Sequence, residues 1–144
     1  MHRLAALVVL CVVLTGCREV RVKTYTQGTT SALGGRQILV IRDEHQLDQL
    51  GIHAPVQFRH EFAVVLLMGP HRDGGWHQVI ESIRANESRV RIVAFEREPA
   101  DGGEPVKEYR TYTLWVVPNS VYRRGSAVEV VTPSGEQIAT TVLR

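Results

Sequence analysis

Beyond position 17 this 144-residue sequence contains no cysteine; its two thiols stand at Cys11 and Cys17. That excludes a disulfide framework and a thiolate metal centre from everything downstream, so packing and backbone pairing must hold the fold. Net charge is also scarce. Seventeen Lys and Arg against fifteen Asp and Glu give +2, too weak a field to steer the chain toward nucleic acid, and no nucleic-acid partner is expected. After residue 14 the longest apolar run is Phe62 to Met68, seven residues, far short of the ~20 that cross a bilayer as a helix. There is no repeat and no low-complexity tract.

What the start of the chain does have is an address. His2 and Arg3 precede eleven residues, Leu4 to Leu14, without a polar side chain. This run is too short to span a bilayer and fits the apolar core of a secretory signal peptide. Leu14-Thr15-Gly16-Cys17 ends it, and this ending resembles the lipobox of bacterial lipoproteins. The resemblance implies cleavage after Gly16 and a diacylglycerol thioether on Cys17, the lipidation site. An ordinary secreted protein cleaved nearby, or an uncleaved anchor, are the alternatives. One acyl chain holds a protein only weakly, at about 0.8 kcal/mol per buried methylene, whereas several chains on one cysteine hold firmly. Arg18, rather than Asp, follows the cysteine. In a Gram-negative host that favours the outer membrane, facing the periplasm. Removing residues 1–16 takes away one cation, Arg3, and no acid, so the mature formal charge is +1.

The expected organisation is a signal peptide at 1–16, a tether at 17–35 and one mainly-β domain at 36–144. Residues 17–26 alternate weakly and suit a first strand or an extended tether; 27–35, QGTTSALGG, reads as a linker or loop. RQILVI at 36–41 suits a buried strand. Asp43 with Gln46 three residues on forms a capping-box pattern, Leu47 and Leu50 share a face, and Gly51 suits the left-handed C-terminal position, so a two-turn helix is predicted over 43–50. Phe62 to Met68 suits a central strand covered on both faces, and GPHRDGG at 69–75 a turn. Residues 76–84 and 89–97 read as a hairpin, 98–105 as a surface loop, 106–117 as the longest strand, ended by Pro118, and 127–132 with 137–143 as a second hairpin. The sum is seven or eight strands with one short helix: an antiparallel sheet or sandwich.

Candidate chemistry is sparse. His53, His60, His71 and His77 are imidazoles that suit zinc or copper, but their spacing is irregular and no HExxH pattern occurs, so no metal or other cofactor is expected. Asp73 lies near His71 and His77, which suggests an acid–base pair for an envelope hydrolase. No serine stands in a GxSxG elbow, however, and no cysteine is free to act as a nucleophile. Glu96, Glu98, Asp101 and Glu104 read as a charged, solvated turn rather than a glycosidase pair. Arg123 and Arg124 read as solvated loop residues. The chain is not expected to be an enzyme.

One constellation stands out. A strand leads into Gly74-Gly75-Trp76; a hairpin and a Pro-x-x-Gly loop follow; a strand carrying Thr111 and Tyr112 then closes at Val117-Pro118. Over residues 60–118 the chain resembles the C-terminal domain of the protease-complex subunit PrcB family. That family carries a Gly-Gly-Tyr turn after an apolar strand and later a Thr-Tyr-Pro-Tyr-like strand. Here Trp76 replaces the tyrosine and Thr113 the proline. The resemblance implies a lipid-anchored, non-catalytic accessory subunit that stabilises a secreted protease, with Gly74, Gly75, Trp76, Thr111 and Tyr112 as partner-binding or fold-signature residues. The residues themselves also admit a plain structural role: positive backbone angles at the glycines and a large ring over a neighbouring strand. An exposed aromatic patch including Trp76 would be the contact surface. Inhibition of a peptidase through loops 69–76 and 98–105, or a structural lipoprotein without a specific partner, are the alternatives.

Overall fold

A computed structural model describes residues 24–32, 34, 37–85, 88–121 and 123–144. The expected signal peptide, the expected lipidation site at Cys17, Arg18 and the start of the expected tether lie outside them. The described residues form a mainly-β fold of eight strands in two four-stranded sheets, with one short helix. In chain order these are β1 Thr24–Thr30, β2 Gln37–Ile41, α1 Glu44–Gln49, β3 Glu61–Asp73, β4 His77–Ala85, β5 Arg89–Arg97, β6 Pro105–Pro118, β7 Ala127–Val131 and β8 Gln137–Val142. A 3-10 turn, Asn119–Val121, follows β6.

The first sheet runs β1-β6-β3-β2 and is antiparallel throughout. Its centre is built from the two longest strands, and their sequences show why. Phe62, Val64, Leu66 and Met68 of β3 pack toward the second sheet with Trp115 of β6. Ala63, Val65 and Leu67 face the other way with Leu114 and Val116. Both faces of β3 are covered, so its apolar run is unbroken rather than alternating. The outward face is covered by α1 and the segment after it, through Leu47, Ile52, Val56 and Phe58.

The helix is as short as its sequence implies. Asp43 caps it, its carboxylate accepting from the Gln46 amide at 2.9 Å. The Gln46 side chain reaches back one residue further than in a standard capping box, to the Arg42 amide at 2.8 Å. Gly51 follows in the left-handed conformation at φ +63°. Six residues cannot sustain a helix in water. Full burial of Leu47 on the sheet contributes about 2 kcal/mol toward holding it.

The second sheet runs β4-β5-β7-β8. β4 with β5 and β7 with β8 are the two expected hairpins. β5 and β7 pair in parallel, which the expectation of wholly antiparallel neighbours did not include. The cause is topological: β6 leaves for the first sheet between them, so the chain returns to the second sheet in the direction it left.

Two further boundaries differ from expectation. Residues 27–30, read as linker, continue β1 along β6, because Gly28 sits opposite Tyr112 and the flanking threonines suit a strand. Residues 69–73, read as turn, continue β3 past a register shift around Gly69 and a cis Gly69–Pro70 bond, so that His71 still pairs with Tyr109.

Candidate functional site

The polar residues of β3 to β6 gather at one end of the sandwich, and the period-2 alternation of the strands is what brings them together. On β6, Tyr109, Thr111, Thr113 and Trp115 share the face toward the second sheet. On β4, Gln78 points inward and is 3% exposed. On β5, Glu96 takes the inward parity that Ala94 and Ile92 occupy further along.

These groups form a directional chain of hydrogen bonds between the sheets. The Gln27 amide donates to Thr113 Oγ1 at 3.0 Å, and Thr113 donates to Gln78 Oε1 at 2.7 Å. Gln78 Nε2 donates to Thr111 Oγ1 at 3.1 Å and to the Leu66 and Thr111 carbonyls at 3.1 and 3.0 Å. Thr111 donates to Glu96 Oε1 at 2.6 Å, and His71 Nε2 meets the same oxygen at 2.7 Å. A carboxylate only accepts, so His71 carries its proton on Nε2 in this arrangement. Each member is a donor to the next, and such chains polarise one another.

The far end of this chain is closed by aromatics. The Trp76 ring stacks on His71 with centroids 4.3 Å apart and planes 6° from parallel. Its Nε1 donates to Asp73 Oδ2 at 2.8 Å. The Tyr109 hydroxyl donates to the Asp73 carbonyl at 2.8 Å and accepts from the Trp76 amide at 3.3 Å. Trp76 is therefore half-buried and fixed at both ring and backbone. The exposed aromatic patch expected around it is not what forms. The large apolar side chain exposed beside this turn is Val106, at 45%.

The glycine pair is explained by a close approach of two loops. Gly75 has φ +100°, and a Cβ there would lie 2.8 Å from Pro99 Cβ. Gly103, at φ +71°, comes so near Gly74 that a Cβ on it would collide with the Gly74 carbonyl oxygen. The Gly74 amide donates to the Glu104 carbonyl at 2.8 Å. The turn at 74–75 and the 98–104 loop are thus locked together, backbone against backbone.

Of the five residues singled out, Gly74, Gly75 and Trp76 line this loop end and Thr111 belongs to the hydrogen-bond chain. Tyr112 lies on the opposite face of the sheet. Its ring covers Gly28, where a Cβ would sit 2.8 Å from the hydroxyl oxygen. His71 and Asp73 both engage Trp76, whereas His77 is exposed, on the opposite parity from buried Gln78. The three do not converge, as the hydrolase reading required. His53 and His60 are exposed on a separate segment. Among the described residues no group of three or more His, Cys, Asp or Glu is placed to hold a metal ion. Glu98, Asp101 and Glu104 are exposed as expected. Glu96 is not part of that solvated turn: it is drawn inward by His71 and Thr111, and its inward parity on β5 was the signal in the sequence. The inhibitor reading loses most of its first loop, since residues 69–73 are strand.

Comparison with protein-family models, with curated proteins and with solved structures finds no match to this chain in any of the three.

Proposed function

We propose that this protein is a lipid-anchored binding module of the cell envelope, an accessory subunit that docks and stabilises a secreted partner protein such as a protease. The observation that carries the reading is the locked loop end. Val106 and Trp76 stand beside a turn whose backbone is fixed by the Gly74–Glu104 hydrogen bond and by the Tyr109 hydroxyl. A rigid apolar edge of this kind, with Val106 exposed on it, loses little conformational freedom on binding. The polar groups behind it are engaged with one another: Glu96 with His71 and Thr111, and Asp73 with Trp76. That suits contact better than bond-breaking. The lipobox-like Leu14-Thr15-Gly16-Cys17 supports the tether.

A photo-crosslinking residue at Val106 in the lipidated protein, expressed in its host, tests the reading. It should capture one discrete envelope protein, while the same residue at Thr140 on β8 captures none. The captured protein should also turn over faster when Cys17 is replaced by Ala. Equal labelling from both positions, or a partner indifferent to Cys17, rejects the proposal.

A further inference from the structure

We infer that Arg110 forms the floor of a binding site for a small oxyanion, a carboxylate or a phosphate, on the face of the first sheet that turns away from the second. This site adjoins the loop end, with Tyr109 lining it as well, but does not depend on the docking reading.

Arg110 is 5% exposed, yet no carboxylate pairs with it among the described residues. Its Nε donates to the Ala32 carbonyl at 3.0 Å, and its Nη1 is buried with no hydrogen-bond partner among the described residues. A guanidinium does not lose its proton in a protein. Burying such a charge is costly unless a counter-charge accompanies it, and a carbonyl dipole supplies only part of that.

Beside this side chain the fold leaves a pocket of about 380 Å³. Arg110, Lys107, Pro70 and the Ser31–Ala32 segment line it. Pockets of a few hundred Å³ take small ligands. The acid on its wall, Glu108, is half-buried and is held by the exposed Arg72, whose Nε lies at 3.1 Å. Two cations therefore line the pocket and its one carboxylate is engaged elsewhere. An oxyanion would supply the missing charge and accept from the unused donor, and the planar guanidinium matches two oxygens of a carboxylate or phosphate. Pro70 and Ala32 add apolar wall beside Ser31 and Tyr109, which suits a small anion carrying a short carbon chain.

Titration of the full mature chain in detergent with inorganic phosphate and, separately, sodium acetate tests this, with ionic strength held constant by chloride. Saturable binding of at least one is expected, with backbone amide NMR shifts confined to Ser31–Ala32 and Lys107–Arg110. The titrant that saturates at the lower concentration identifies the class. Arg110→Met should weaken binding at least tenfold. If that variant does not fold, the shift map on the unaltered chain decides alone. Shifts that never saturate with either ion, shifts located elsewhere, or unchanged affinity in folded Arg110→Met overturn the inference.

Discussion

His71 of the first sheet and Glu96 of the second hold each other at 2.7 Å across the interior of the sandwich. The same carboxylate oxygen also accepts from Thr111 at 2.6 Å, so one atom ties β3, β5 and β6 together. Their side chains are 12% and 8% exposed, so water replaces little of what a substitution would remove. Glu96→Leu leaves two polar groups unpaired, and a buried unsatisfied group costs about 1–3 kcal/mol. The unfolding free energy of Glu96→Leu, read from denaturant titration, should drop by that order. Glu96→Gln, which keeps an acceptor for Thr111, should lose clearly less. Equal losses would mean the contact contributes through shape alone.

Gly28 and Tyr112 supply a second test. The tyrosine ring occupies the space a side chain at position 28 would need, with a Cβ predicted 2.8–2.9 Å from its atoms. Gly28 is not in the left-handed region, so crowding rather than backbone strain decides the outcome. Gly28→Ala should destabilise by about 1–3 kcal/mol, the usual cost of overpacking. In a Tyr112→Leu background the same change should cost much less. A double-mutant cycle reads the difference directly. Additive effects would show that the ring yields freely.

Trp115 is a large core side chain, 2% exposed, and its indole Nε1 has no hydrogen-bond partner among the described residues. Trp115→Phe discards that unpaired donor along with some packing, and the two effects oppose each other. The net change should stay well below the cost of removing the ring, because most of the aromatic volume is kept. Trp115→Ala keeps no ring and should cost about 3–5 kcal/mol. Thermal melts of both variants distinguish this from a core in which the indole nitrogen matters.

Gly75→Ala addresses the locked loops. The position has φ +100° and faces Pro99. A side chain there meets both backbone strain and a collision, so a loss of more than about 1 kcal/mol is expected. Gly102→Ala is the control: it also has positive φ, but a Cβ there has open space. The Gly75 variant should therefore lose more stability than the Gly102 variant in matched chemical denaturation. The same ranking should appear in crosslinking from Val106, because that edge relies on the turn for its shape.

Much of the fold was legible along the chain because its causes are local. The β3 run from Phe62 to Met68 is apolar at every position and short, with valines inside and turn residues beyond Met68, which suits a strand covered on both faces. Asp43, Leu47 and Gly51 mark the start, face and end of α1 within nine residues. The opposite faces of β6, with Thr111 and Thr113 on one and Tyr112 on the other, follow from parity alone. The boundaries misread were those set by partners. Residues 27–30 look like linker until β6 lies beside them, and residues 69–73 look like turn until Tyr109 pairs with His71. The parallel pairing of β5 with β7 follows from where β6 goes, which no local pattern encodes.

The sequence by itself determined a mainly-β chain, the caps of its helix, the inward and outward sides of its longest strands, and a lipobox-like start. Only the tertiary structure decided which polar residues meet: Gln27, Gln78, Glu96, Thr111 and Thr113 lie as far as 86 positions apart and yet form one chain of hydrogen bonds. It also decided that Glu96 turns inward while its charged neighbours stay in water, and that Arg110 is buried beside a pocket. The physical reason is that alternation assigns a side chain to a face, but only the packing of two sheets determines what that face is pressed against.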